Sequence, residues 1–448
     1  MHRILLSLKL RSISPEAKSF LVRFVQLYGL SHSVKLGVKE LAGAIGVTDR
    51  VVSRSVTELM DEDYLDHRTI VDGRGRPKSE YQCSPRLIKL LGDEGKNTSL
   101  AHEQWIDHVL HGASQQNGSE LSITNRLLLS VLLGHADQFG VVRNLGISDL
   151  SKLTGLNNGR VKAQLHKFLE SGIFRSSVPG ATSSNLFRPT KSVHFLNLHH
   201  PMLGQNQAAM RLLVIVPKGS SGMTAAARIV STAQHYKTEG GFSLHKEALE
   251  FLPIDHHYKG LAALFSSLAS TPRLIPLLQT KLDEYASRLL SNHWEKIVHD
   301  VPFKDRPILE LIENEFKLPA RSATAEEIVL QKEKWDRILP QFIYEVSLRL
   351  AIKIKEMLLH IDDLETKQIA ISILPGGYVK GQHTGTTVFL IKNTEPATQR
   401  KCEVFSWNNN RKELTPLASL SEKDIPLNDK YDYGLLTEPK HLNRRKNS

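Results

Sequence analysis

Residues 37–65 return at 146–174 without a gap, a fixed offset of 109 positions, and nothing else in the sequence limits the fold as strongly. Gly37 corresponds to Gly146, Val38 to Ile147, Leu41 to Leu150, Gly46 to Gly155 and Val47 to Leu156. Val52 corresponds to Val161, Leu59 to Phe168, Met60 to Leu169 and Leu65 to Phe174. Chance seldom keeps turn glycines and apolar positions in one register, so the spacing predicts two copies of one supersecondary unit.

The first copy shows what that unit is. Val38 to Ile45 reads as a short helix and Gly46-Val47 as a tight turn, where glycine tolerates a positive φ. A second helix runs from Thr48, its predicted N-cap, to about Asp61. A strand (Leu65 to Val71), a basic loop (Asp72 to Lys78) and a returning strand (Glu80 to Ser84) follow. Ser14 and Pro15 signal the start of a supporting helix over 14–30, with Phe20, Phe24 and Leu27 at helical spacing. On the second helix Val52, Val56, Leu59 and Met60 form the apolar face. The opposite face carries Thr48, Arg50, Ser53, Arg54 and Thr57, groups suited to phosphates and base edges. Arg74, Arg76 and Lys78 place three cations on the hairpin tip, where a narrow minor groove would attract them.

The run LAGAIGVTDRVVSRSVTELMDEDYL followed by DGRGRPKSEYQ resembles the winged helix-turn-helix of MarR-type bacterial regulators. The resemblance covers residues 14–90, and the wing core Arg74 to Lys78 is also similar to the AT-hook motif. It implies a double-stranded DNA partner, with the second helix in the major groove and the wing beside it.

In the second copy Thr124 to Phe139 supplies the preceding helix, and Val161, Leu165, Phe168 and Leu169 the apolar face. Wing strands are expected at Ile173 to Val178 and Leu186 to Leu198, around a polar tip from Gly180 to Asn185 that has no arginine. Asn157, Asn158, Arg160, Lys162, Gln164 and Lys167 are the candidate DNA contacts. Residues 121–200 hold nine Lys and Arg against three Asp and Glu, whereas residues 31–90 hold ten against nine. The first copy's acids cluster at Asp61, Glu62, Asp63 and Asp66, the far end of its helix, which leaves its reading face cationic. A role for the second copy in dimerisation or packing is the alternative.

These readings divide the chain into a first winged helix-turn-helix (1–91), a linker around one short helix (92–119) and a second winged helix-turn-helix (120–200). A mostly helical region (201–365), a small β-rich module (366–439) and a basic tail (440–448) complete it, so the expected class is α+β, mainly α. Pro85 to Leu91 reads as a further helix, and Trp105 in the linker as a packing anchor. Leu274, Leu277, Leu278, Leu282, Tyr285 and Leu289 share one helix face. Val346, Leu350, Ile354, Met357 and Ile361 form a near-heptad seam that would serve a homodimer or an ordinary core. IAISIL, TTVFLIK and CEVFSW read as strands of the C-terminal module.

Composition narrows the chemistry. The 448 residues carry a net charge of +11, which suits a polyanionic partner. Two cysteines, Cys83 and Cys402, are too few for a disulfide framework or a Cys-rich zinc site. No apolar run reaches the ~20 residues of a membrane span, and the first residues lack the features of a signal peptide, so a cytoplasmic protein is expected. The pairs His199-His200 and His256-His257 lack partners at metal-ligand spacing, and Asp362, Asp363 and Glu365 read as a solvated helix end. The loop from Pro217 to Thr224 lacks the Gly-Lys-Ser/Thr ending of a phosphate-binding loop, and no nucleophile motif is present. The expectation is a non-enzyme without cofactor or metal that binds duplex DNA sequence-specifically to regulate transcription. Its alternatives are a replication initiator or accessory DNA-binding factor of a plasmid or mobile element, which also pair two winged helices, and a winged-helix scaffold for protein partners.

Overall fold

Helices predominate over strands in the computed structural model, and the fold is α+β, mainly α. It describes residues 2–10, 12–70, 78–94, 102–112, 121–182, 186–203, 210–218, 223–239, 258–297, 303–316, 325–361, 369–375, 378–379, 382–383, 386–392 and 402–438. Two units pack separately, one from residues 1–174 and 195–206, the other from 175–194 and 207–448.

In the first unit a short helix, α1 (Ile4–Ser7), precedes α2 (Pro15–Tyr28). The Ser14 hydroxyl accepts from the Ala17 amide and Pro15 occupies the first helical position, so the sequence signal for this start is realised. Strand β1 (Val34–Lys35) leads to α3 (Val38–Ile45) and α4 (Asp49–Asp61), then to the hairpin β2 (Leu65–Ile70) and β3 (Lys78–Cys83). The three strands pair antiparallel in the order β1-β3-β2. Helix α5 (Pro85–Glu94) buries Leu87 and Leu91, and α6 (Glu103–His111) buries Trp105, Ile106, Val109 and Leu110.

The same order then repeats as α7 (Ile123–Gly134), β4 (Val141–Val142), α8 (Ile147–Thr154), α9 (Asn158–Glu170), β5 (Phe174–Val178) and β6 (Val193–Leu196), with sheet order β4-β6-β5. Its local geometry matches the first copy at each marker of the 109-residue offset. Glu40 accepts from the Gly37 amide at 2.7 Å, and Asp149 accepts from the Gly146 amide at 3.0 Å. Gly46 and Gly155 close α3 and α8 with φ of 80° and 76°. Asp63 and Gly172, again 109 apart, both take a left-handed φ, of 55° and 78°, between the second helix and its strand.

Helix α7 explains why the two copies share a core. Leu127, Leu128, Leu129, Val131, Leu132 and Leu133 are all fully buried, because a helix that is apolar on every side must be covered on every side. It packs against α1, α2, α6 and α8. Each such leucine contributes about 1.5–3 kcal/mol of burial. Residues 103–111, read from sequence as the short helix within a linker, form part of this core through buried Trp105, Ile106, Val109 and Leu110, and Asp107 is held by Arg3 at 2.5 Å and His2 at 2.7 Å.

The turn glycines differ in surroundings. A Cβ at Gly46 would meet open space, whereas one at Gly155 would lie 3.2 Å from both the Ile13 carbonyl and the Pro15 nitrogen. Gly46→Ala should therefore cost about 1 kcal/mol, from left-handed strain alone. Gly155→Ala should cost about 2–3 kcal/mol, because crowding adds to that strain. Urea unfolding of the two variants compares them, and equal losses would remove the crowding argument.

In the second unit β7 (Met210–Pro217) is followed by α10 (Ala225–Glu239), α11 (Tyr258–Ser266), α12 (Ile275–His293), α13 (Arg306–Glu315) and the long α14 (Ala325–Leu358). Strand β8 (Ile369–Leu374), the small hairpin β9 (Tyr378–Val379) and β10 (Gln382–His383), β11 (Thr386–Lys392), β12 (Cys402–Asn408) and β13 (Glu413–Leu420) precede a last helix, α15 (Leu427–Asp432). The five-stranded sheet runs β13-β12-β7-β11-β8, with only β12 and β7 parallel. The strands read from sequence after residue 366 are therefore completed by β7, and β13 joins them although its pattern hides it.

Both sheet edges are protected, in different ways. The Ser287 and Ser291 hydroxyls, four residues apart on α12, accept from the outer amides of Ile373 (2.9 Å) and Ile371 (2.8 Å) on β8. At the other edge β13 carries Pro416 and a bulge opposite Val404 and Phe405. The face of Leu274, Leu277, Leu278, Leu282, Tyr285 and Leu289 is buried as expected from its spacing. In the near-heptad seam Val346, Ile354, Met357 and Ile361 are buried within the chain's own core and Leu350 is half-buried, so the seam serves intrachain packing against α12 and its neighbours. Among the described residues no single helix is long and apolar enough to cross a membrane.

Candidate nucleic-acid interface

Helix α4 is built as an amphipathic rod. Thr48 caps it by accepting from the Val51 amide at 3.4 Å, and Val52, Val56 and Leu59 point into the core. Met60, expected on that face, is instead 41 % exposed, because the helix turns it out of the core after Leu59. Thr48, Arg50, Ser53, Arg54 and Thr57 are all exposed on the outer side, as the spacing predicts. The Ser53 hydroxyl donates to the Asp49 carbonyl (3.0 Å) and that of Thr57 to the Ser53 carbonyl (3.1 Å), which leaves their oxygens as acceptors outward.

Arg54 is held in place. Its Nε donates to Glu58 Oε1 at 2.9 Å, while Glu58 Oε2 accepts from the Ser14 amide at 2.9 Å. Burial alone would raise the Glu58 carboxyl, but Ser14 and Arg54 outweigh it and hold the group below the usual carboxylate range. The Arg54–Glu58 spacing of four is visible in the sequence; the Ser14 contact is not. Arg74 and Arg76 lie outside the described residues, and Lys78 opens β3.

Helix α9 begins the same way, with the Asn157 carboxamide oxygen accepting from the Arg160 amide at 2.8 Å. Its amide group remains a donor on the outer surface. Asn158, Arg160, Lys162 and Lys167 are exposed. Gln164 is not a surface reader: it is only 7 % exposed. It stands three residues after Val161 and four before Phe168, which puts it on the core side, and its counterpart Ser55 in the first copy is likewise buried. Arg160 lies 4.0 Å from Glu16 in the first turn of α2, a partner that no spacing rule in the sequence reveals.

The second hairpin departs from the expected wing. Residues 186–188 do not continue β6; Phe187 forms a bridge with Phe316, with ring centroids 5.1 Å apart. The Arg188 amide donates to the Glu315 carbonyl at 2.9 Å, and its Nε to the Phe316 carbonyl at 3.2 Å. At the base, Arg175 makes a two-pronged pair with Glu422 (2.6 and 2.8 Å) in a buried setting and donates to the Leu435 carbonyl at 3.2 Å. The Thr437 amide closes the contact on the Arg175 carbonyl at 2.8 Å. Arg175, Phe187 and Arg188 therefore pack this hairpin into the second unit.

Burial pushes both thiols, Cys83 and Cys402, up to about 12, which makes them unreactive. His194, beside Ser177, is pushed down to about 4 by burial and stays neutral. Among the described residues no group of three or more His, Cys, Asp or Glu is placed to hold a metal ion. His256, His257, Asp362, Asp363 and Glu365 lie outside those residues. Compared with known proteins, the chain matches no family model and no curated sequence.

Proposed function

We propose that the chain is a sequence-specific duplex DNA-binding protein with two tandem winged helix-turn-helix modules, α2–β3 and α7–β6, that regulates transcription. One observation carries the reading. Two helices, α4 and α9, start from matching caps and left-handed turns at a 109-residue offset, and each presents cations and short polar side chains outward from a buried apolar face. That combination suits a helix in a major groove, where arginine and asparagine contact bases and lysine contacts phosphates. The excess of nine cations over three acids in residues 121–200 favours the same partner.

The two wings carry different roles in this reading. The first, with Arg74, Arg76 and Lys78, reaches for the backbone or minor groove. The second is committed to packing by Phe187, Arg188 and Arg175, so its module contacts DNA through α9. Arg54→Ala should weaken binding mainly to a selected site, by about 1–3 kcal/mol for a lost base contact. The double change Arg74→Ala/Arg76→Ala should weaken all duplexes and reduce the salt dependence by up to about two units of slope. Binding to a selected and a random duplex across a salt series measures both, and unchanged affinity and slope in every variant would remove DNA from the first module.

A further inference from the structure

The outward helices of the two copies both meet one short stretch, residues 13–16. The Ser14 amide donates to Glu58, whose other oxygen accepts from Arg54 of α4. Two residues on, Glu16 lies 4.0 Å from Arg160 of α9. The turn that launches α9 is seated against the same stretch, since Gly155 has the Ile13 carbonyl and Pro15 nitrogen 3.2 Å from its missing Cβ. One turn further along α2 the Lys18 ammonium donates to the Leu153 carbonyl at the end of α8, and to the Leu8 carbonyl at 2.6 Å.

The path from Arg54 to Arg160 thus crosses two carboxylates and three residues of chain. Even fully stretched it spans no more than about 25 Å. Helix-turn-helix pairs that read separate half-sites on one face of DNA sit about 34 Å apart, one turn of duplex. On the DNA-binding reading given above, we propose that α4 and α9 read a single uninterrupted site within one turn of duplex. The Ser14–Glu16 bridge fixes their spacing, and the preferred ligand is a duplex whose two recognition elements abut without a spacer. Glu58 holds Arg54 by a hydrogen bond of 2.9 Å, and Glu16 offers Arg160 a counter-charge at 4.0 Å.

The test is selection from random 30-bp duplexes with the full-length protein, repeated with Arg54→Ala and Lys162→Ala, both exposed positions. Hydroxyl-radical footprinting of the winning sequence follows. The expected result is one enriched motif of about 10 bp or less and one protected block. Each variant should relax preference about tenfold or more at its own positions, and the two sets of positions should adjoin. Two motifs or two protected blocks centred a full turn apart would overturn the single-site proposal while leaving DNA binding intact. No enrichment at all by the unaltered protein would overturn the DNA reading and this proposal with it.

Discussion

Glu422→Gln should unfold the second unit about 10 °C below the unaltered protein, because it neutralises the partner of a buried guanidinium. Arg175 and Glu422 are 2 % and 7 % exposed as side chains, and their two hydrogen bonds are short and parallel. Neutralising the carboxylate removes the two-pronged charged partner of a buried guanidinium, which costs about 3–5 kcal/mol. At about 2–4 °C per kcal/mol for a unit of this size, a shift near 10 °C follows. The paired change Arg175→Met/Glu422→Leu should lose less than Glu422→Gln alone, because no isolated charge remains. Calorimetric unfolding of the three proteins decides it; a Glu422→Gln variant within about 1 kcal/mol of the parent would show that solvent reaches this pair.

The second large effect is a pH dependence in the first unit. Lys18 is buried in α2, and burial pushes its amine down to about 7 from an ordinary 10.5. Between those values the unfolded chain binds a proton that the folded chain does not, so stability must rise with pH across this window. The gain is greatest above 10.5 and is lost as pH falls toward 7, with a slope of up to about 1.4 kcal/mol per pH unit. Lys18→Met has no titrating amine, and its stability should be flatter over the same range. Denaturant unfolding at pH 7, 8 and 9 measures the difference. Parallel curves for parent and variant would mean that the ammonium is already well solvated by the Leu8 and Leu153 carbonyls.

Apart from the 109-residue repeat, what could be read from the sequence was local. Turn glycines, the caps Ser14 and Thr48 and the i, i+3, i+4 apolar spacing act within a few residues, and the helices α2, α3 and α4 stand where those signals put them. Gln164 shows that polarity is not exposure: a side chain between Val161 and Phe168 faces inward whatever its chemistry. β13 was hidden because its sequence, ELTPLASL, contains a proline and lies at an edge, where alternation is not enforced from both sides. The Glu16–Arg160 and Arg175–Glu422 pairs join residues 144 and 247 positions apart, and no one-dimensional period encodes such a meeting. The shared core around α7 was foreshadowed by its uniform apolarity, but which helices would cover it was set by packing alone.

The place of β7 in its sheet has a consequence for how the chain matures. Its hydrogen-bonding partners on the two sides, β11 and β12, lie some 170–190 residues later in the sequence, as the pairings of Leu212 with Phe389 and with Cys402 show. Contacts of such long range close slowly, and during N-to-C synthesis they must wait for the partner strands to emerge. Residues 1–174 and 195–206 of the first unit are all synthesised before β7 emerges and can begin to assemble while the ribosome is still working, whereas Arg175 must wait for Glu422. Meanwhile the run Leu212–Ile215 stands with both edges unpaired and its apolar side chains uncovered, the condition in which strands recruit one another between molecules. A chain that stops before residue 386 would keep that condition permanently, so premature termination there exposes this protein to aggregation through its second unit.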